Sequence, residues 1–301
     1  MPKQTTLAAS ASISGIGVHS GRPASLHFHP GAANTGIVFR TPEGVALQAV
    51  SKNVGATSLA TVLGDMSGVF VATIEHLMAA ISGMGIDNLT IDIDGREVPI
   101  LDGSALCFVE LFDETGLAQL DAPRRALRVL KDVRVEKNDS FGEFMPYDGR
   151  RFEIEIDFAS PAIGRQSFAA DLTPEIFRVE IASARTFGFA ADVEKLREGG
   201  FALGSSLENS VGIGADNDIL NPEGLRFPDE FVRHKTLDAI GDLALSGLPI
   251  IGCFRSYKGG HALNAAALGA LIADSSAFEL VDNANIPKGS AEVSVDLGPS
   301  S

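Results

Sequence analysis

Two stretches of the chain carry the same order of residue types. EHLMAAISGMGIDNLTIDI (residues 75–93) and RHKTLDAIGDLALSGLPIIG (residues 233–252) each run from a His near a helix start, through Ala and Leu, past Gly, into a strand. An internal echo of this kind points to two similar halves that bury a shared core by facing each other. That arrangement predicts two similar halves, each setting a helix beside a strand and facing the other. It also brings His76 beside His234 and Asp238.

The 301 residues suffice for one large domain or two ordinary ones, and 45% hydrophobic with 21% charged residues is the balance of a globular chain. The net charge of -15 argues against a nucleic-acid or anionic-membrane surface, because both need a basic face. Cys107 and Cys253 lie far apart in apolar runs, which reads as two core thiols in a reducing cytoplasm rather than a disulfide framework. The Thr, Ser and Gly content of the N-terminus breaks any signal-peptide core, and no run of ~18 apolar residues follows.

The second echo lies in PDEFVRHKTLDAIGDLALSGLPIIG (residues 228–252). Phe231, Leu237, Ile240, Leu243, Ala244 and Leu248 recur at helical spacing, Pro228 suits a first turn and Gly247 a C-terminal cap. An amphipathic helix follows, with His234, Asp238 and Asp242 stacked along one side and Lys235 one step around. An exposed charged face is the plainer account of an HxxxD pair alone. In the first half, Thr73 is the expected N-cap of a helix ending at Gly83 or Gly85, with Glu75 and His76 in its first turn. His76, His234 and Asp238 then complete a two-His, one-carboxylate set whose open fourth position suits a catalytic zinc, with Glu75 as general base for the attacking water.

Elsewhere, residues 24–29, 36–40, 88–94, 127–136, 152–158 and 166–171 read as strands, and Ser104 caps a helix. Residues 121–125 (DAPRR) read as the linker, dividing the chain into an N-terminal domain (1–122), a C-terminal domain (123–285) and a frayed tail (286–301). Residues 187–204, a short helix between FGF and GGFAL, read either as an excursion gripping an apolar ligand or as a surface hairpin. His19, in GIGVHSGRP, is either an exposed turn histidine or a ligand contact, and KGGH (258–261) opens the last helix with backbone N–H groups and His261 available to a ligand.

Taken together, these motifs make the chain resemble the UDP-3-O-acyl-N-acetylglucosamine deacetylases, zinc enzymes of lipid A biosynthesis. GIGVHSGRP, HPGAANTGIVFR, TIEHLMAAISGMGIDN, VPILDGSA, ARTFGF, LNPEGLRFPDEFVRHKTLDAIGDLALSG and YKGGHALN carry the resemblance across nearly the whole sequence. It implies an α+β fold of two domains of similar topology, each a sheet packed on helices, with the helices sandwiched between the two sheets and the active site between domains, and zinc-dependent hydrolysis of a linear N-acetyl amide to free amine and acetate. It implies Zn2+ on His76, His234 and Asp238, Glu75 as base, His261 as the cationic partner of the oxyanion and leaving amine, and Asp242 as the acid that holds His261 charged. Lys235 and Thr186 match groups near the water and oxyanion. Residues 187–204, Phe187 among them, match an acyl passage, and His19, Phe158 and Lys258 match nucleotide and sugar contacts. Ser140 stands where a basic residue near the diphosphate is expected. The partner implied is a small UDP-linked acylated amino sugar, with no nucleic acid and no stable membrane anchoring, for a cytoplasmic monomer. Two other classes remain open: a metal-stabilised sugar-nucleotide binding module, which needs no flanking base and acid, and a 3-hydroxyacyl dehydratase, which needs no metal.

Overall fold

The structure is a computed structural model that describes residues 2–282 and 293–298. Its first half opens with β1 (Ala11–Ile16), β2 (Pro23–Pro30), β3 (Ile37–Arg40) and β4 (Ala46–Gln48), followed by helix α1 (Glu75–Met84), β5 (Leu89–Ile93) and helix α2 (Leu106–Thr115). Alternation in β2 sends Ala24, Leu26 and Phe28 inward. Phe28 meets Phe112 of α2 edge-on at 5.5 Å, laying that helix on the sheet.

The second half repeats the plan with β6 (Val133–Lys137), β7 (Ser140–Met145), β8 (Arg150–Asp157) and β9 (Arg165–Asp171), then the short helix α3 (Ala190–Glu198), the long helix α4 (Glu230–Leu243), β10 (Ile250–Tyr257) and helix α5 (His261–Ala273). The order in the first sheet is β1-β2-β5-β3-β4 and in the second β6-β7-β10-β8-β9. In each, the strand after the long crossover runs antiparallel to one neighbour and parallel to the other. A parallel neighbour requires a crossover, which α1 supplies in one half and α4 in the other. The fold is therefore α+β, as the resemblance implies, and duplicated, as the echo predicts. The helices lie between the sheets: α2 contacts β1, α4 contacts β8 and β9, α5 contacts β6 and β7, and α1 packs on α4.

Position between two layers explains a departure from the sequence reading. The α4 segment, expected to be amphipathic, is buried at every position except Lys235. Phe231, Leu237 and Ile240 each contribute ~1.5–3 kcal/mol by burial. His234, Asp238 and Asp242 are buried too, so they require partners to offset lost hydration.

Other expectations also change. Thr73 does not cap α1: it has φ 58°, its hydroxyl bonds Glu97 Oε1 at 3.1 Å, and Ile74 precedes the helix. Gly85, at φ 76°, ends it. Residues 127–136 are two strands, because Arg125–Val129 pairs in parallel with the start of β10 whereas β6 lies two strands away beyond β7. The presumed linker is ordered, since Leu117–Pro123 pairs antiparallel with Lys3–Leu7. Of the expected tail, Ser294–Asp296 adds to β9, while 286–292 and 299–301 lie outside the described residues. No helix among the described residues is long and apolar enough to cross a membrane. Both cysteines are free thiols, Cys253 buried and Cys107 half-buried.

Candidate metal centre and active site

Helices α1 and α4 cross where Gly241 faces the first turn of α1. A Cβ at Gly241 would stand 2.0 Å from the Glu75 carbonyl oxygen, so only glycine permits this approach. The crossing carries His76 to His234 and Asp238. Their ligand-type atoms lie within 4.8 Å of one another, and all three residues are buried. Asp238 Oδ1 stands 3.6 Å from His76 Nε2 and 3.4 Å from His234 Nε2, yet has no hydrogen-bond partner. A buried carboxylate oxygen left unpaired between two imidazole nitrogens is costly without a cation. The donor set, two nitrogens and one oxygen, fits zinc or a similar divalent ion.

The surroundings prepare these groups for a metal. His234 Nδ1 lies 3.0 Å from the Ala184 carbonyl, which accepts the Nδ1 proton and turns the Nε2 lone pair toward Asp238. Burial holds the His234 pKa down at about 3, outweighing the pull of Asp238, so the imidazole is neutral, as a ligand must be. Although burial alone would raise it, Lys235 and His234 bring the Asp238 carboxyl well below the usual range. Lys235 Nζ donates to Asp238 Oδ2 at 2.5 Å. Burial works against the Lys235 ammonium, but Asp238 wins and raises its pKa.

Beside the cluster stands a second constellation. Glu75 is buried, its Oε2 accepting the Thr61 N–H at 3.0 Å and its Oε1 3.7 Å from His261 Nε2. Burial raises the Glu75 pKa, with His261 and His76 opposing. His261, at the start of α5, donates from Nδ1 to Asp242 Oδ2 at 2.9 Å. Burial would lower the His261 pKa, but Asp242, then Glu75 and Asp238, carry it to about 10. A base able to take a proton and an imidazolium able to give one thus face the same space.

That space is a cleft of about 790 Å³ reaching His76, His234, Asp238, Glu75 and His261. Thr186, Phe187, His19, Lys258 and Ser140 also line it. His19 is held in its turn by Glu97, which accepts its N–H at 2.8 Å, and its Nδ1 is buried without a partner. Burial lowers its pKa, Glu97 opposing. Lys258 Nζ is engaged by Asp139 at 2.9 Å and Asp157 at 3.3 Å. Phe158 is the exception: it stands behind Phe187, ring centroids 5.8 Å apart, and does not line the cleft. Phe187 in turn packs on His234 at 6.2 Å.

The 187–204 segment rises over the cleft from a pinned base. Phe187–Phe189 pairs in parallel with Val211–Ile213, and Val193, Leu196 and Ala202 line the cleft. Arg185, 2% exposed, bonds Glu230, 0% exposed, through Nε at 2.9 Å and Nη2 at 3.1 Å. Because Arg185 follows Ala184 directly, this buried pair also fixes the carbonyl that orients His234. The sequence reading missed the parts played by Glu230, Glu97 and Thr61. Their partners lie many residues away; Glu97, beside the matched VPILDGSA motif, and Glu230, inside the matched LNPEGLRFPDEFVRHKTLDAIGDLALSG stretch, had local markers, whereas Thr61 had none.

A duplicated α+β frame that closes two histidines, a carboxylate and an acid–base pair into one cleft defines a hydrolase of the metal-dependent class. The chain belongs to the UDP-3-O-acyl N-acetylglycosamine deacetylase family, whose model matches residues 4–273. The UDP-3-O-acyl-N-acetylglucosamine deacetylases of Brucella ovis, Brucella canis and Brucella melitensis biotype 2 are each 55% identical to it over 282 residues, 93% of this chain and 98% of theirs.

Proposed function

We propose that this protein is a zinc-dependent deacetylase that hydrolyses the N-acetyl amide of a UDP-3-O-(3-hydroxyacyl)-N-acetylglucosamine to the free amine and acetate, the committed step of lipid A biosynthesis. The single observation that carries the reading is the unpartnered Asp238 Oδ1 between two imidazole nitrogens, beside a buried Glu75 and a carboxylate-paired His261. Release of acetate in step with a new primary amine from that UDP-linked sugar tests it; an intact amide with a dehydrated acyl chain, or binding without turnover, would overturn it.

His76, His234 and Asp238 are the residues that would hold zinc. When bound, the ion supplies Lewis acidity, polarising the amide carbonyl and easing ionisation of the attacking water. Glu75 takes the proton from the water through Oε1. His261, kept charged by Asp242, donates from Nε2 to the developing oxyanion and then to the leaving nitrogen. Lys235 holds the second oxygen of Asp238 and, with Thr186, faces the reacting carbonyl. The 187–204 segment, Phe187 included, receives the acyl chain, and His19 and Lys258 contact sugar and nucleotide, with Phe158 acting from behind Phe187. We further assign residues 1–122 and 123–285 to the two domains. Ligands, base and acid all come from one chain, which supports a monomer, and two free thiols suit a cytoplasmic setting.

Two expected results follow from this assignment. Replacing a long acyl chain by acetyl should lower kcat/KM by roughly 10-fold or more, because each CH2 withdrawn from apolar contact forfeits ~0.8 kcal/mol. Equal kcat/KM for the two substrates would remove the acyl role of the segment. For pH, kcat/KM should be bell-shaped, the acid limb reporting Glu75, which must lose its proton, and the basic limb His261, which must keep it. Asp242 is the largest of the influences raising His261, so Asp242→Asn should move the basic limb to lower pH and leave the acid limb nearly in place. A shifted acid limb with an unmoved basic limb would reverse the assignment.

A further inference from the structure

Thr61 lies just before the strand Val62–Gly64, outside any helix, and is 2% exposed. All three of its polar groups are committed to the active site. Its N–H donates to Glu75 Oε2 at 3.0 Å, its hydroxyl donates to Asp242 Oδ1 at 2.6 Å, and its carbonyl accepts from Ile74 N at 3.3 Å, ahead of α1. Each carboxylate thereby spends one oxygen on Thr61 and presents the other to His261: Glu75 Oε1 to Nε2, Asp242 Oδ2 to Nδ1. Asn264 Nδ2 shares Asp242 Oδ2 at 2.8 Å, which leaves Thr61 as the donor to Oδ1 among the described residues. The result is a closed ring of Thr61, Glu75, His261 and Asp242.

From this ring we propose that Thr61 is a positioning residue for the hydrolytic reaction: one side chain and its own amide fix which oxygen of each catalytic carboxylate faces His261. This rests on the deacetylase roles given above to Glu75, Asp242 and His261. A hydroxyl is needed because a carboxylate oxygen accepts hydrogen bonds, and a short hydroxyl-to-carboxylate bond between buried groups is among the stronger neutral-to-charged contacts. Without it, Oδ1 is buried and unpaired, and the carboxylate is free to rotate away from Nδ1.

A second cavity, of about 310 Å³, lies behind the ring and touches Thr61 and Asp242 together with Leu245, Leu268 and Ile272. Its presence decides the choice of variant. Thr61→Ala would open a path by which water replaces the lost hydroxyl, whereas Thr61→Val fills the same volume and keeps the backbone bond to Glu75.

The test compares Thr61→Val and Thr61→Ser in the full-length, metal-loaded protein. In Thr61→Val, kcat on the UDP-linked acyl sugar should fall about 10- to 100-fold, with KM and bound metal unchanged, and Thr61→Ser should recover most of the loss. Wild-type kcat in Thr61→Val, a Ser variant no better than Val, or metal loss in Thr61→Val would overturn the proposal. A second readout is independent of the substrate: the downfield NMR resonance of the His261 Nδ1 proton should shift or broaden in Thr61→Val and persist in Thr61→Ser. An unchanged resonance in Thr61→Val would sink the positioning role even if the wild-type protein proved inactive on this sugar. A moved resonance with no wild-type turnover would instead retire the deacetylase reading alone.

Discussion

In the Glu75→Gln variant, turnover should drop by roughly 100-fold or more while bound metal stays at the wild-type level. A positioned general base contributes 10²–10⁴ in rate, and the amide is isosteric, so it still accepts the Thr61 N–H but cannot take a proton. The side chain is buried and its pKa is raised by that burial, which places proton affinity where the chemistry needs it. KM should change little, since Glu75 lies deep in the cleft at the cluster and not at its mouth. Activity within a few-fold of wild type would remove Glu75 as the base. Metal loss would make it a ligand instead.

His76→Ala should have the larger effect, abolishing both metal binding and turnover. The three donors come from two helices whose crossing depends on Gly241, so a missing imidazole leaves only the HxxxD pair on α4. Two ligands from one helix hold a divalent ion far more weakly than three converging ones. The fold should survive, because replacing His76 removes one of two imidazoles crowded on Asp238 Oδ1 and leaves the apolar packing of α1 in place. The check is metal content by elemental analysis beside a thermal melt: a wild-type metal ratio in His76→Ala would contradict the ligand set, whereas a protein that fails to fold would show His76 to be structural.

Much of this arrangement was legible in the sequence, and the reasons differ by element. The repeat of His, helix, Gly and strand was readable because each half must solve the same burial problem, and it anticipated two similar halves, which the structure shows to share one strand order. His234, Asp238 and Asp242 fall on one side of a helix by spacing alone, and Glu75 beside His76 marked the partner helix. What spacing could not show was depth. The long helix reads as one-sided because His, Lys and Asp occur along it, yet it is enclosed on all sides except at Lys235, since the polar residues face a cleft and one another instead of solvent.

Residues that act through distant partners were hidden for another reason. Thr61 stands in a stretch without periodicity, and its hydroxyl acceptor, Asp242, is 181 positions away. The buried Arg185–Glu230 pair spans 45 positions. Thr73 misled in the opposite way, because a Thr before an acidic first turn is the usual mark of an N-cap, while here its hydroxyl is drawn off to Glu97. The strand running into the linker was hidden as well: Pro123 lacks an N–H to offer a ladder, which favours irregular chain, but a two-stranded ribbon with Lys3–Leu7 accommodates it at its end.

The central claim, that a metal on His76, His234 and Asp238 is required for amide hydrolysis, meets its most direct test in one assay. Acetate released from the UDP-linked 3-O-acyl-N-acetyl sugar is followed for the protein as purified, after exhaustive chelation, and after return of about one equivalent of zinc per chain. Activity should vanish with the metal and return with it at that ratio, while the fold measured by circular dichroism stays constant throughout. Undiminished acetate release from protein shown to be metal-free would contradict it.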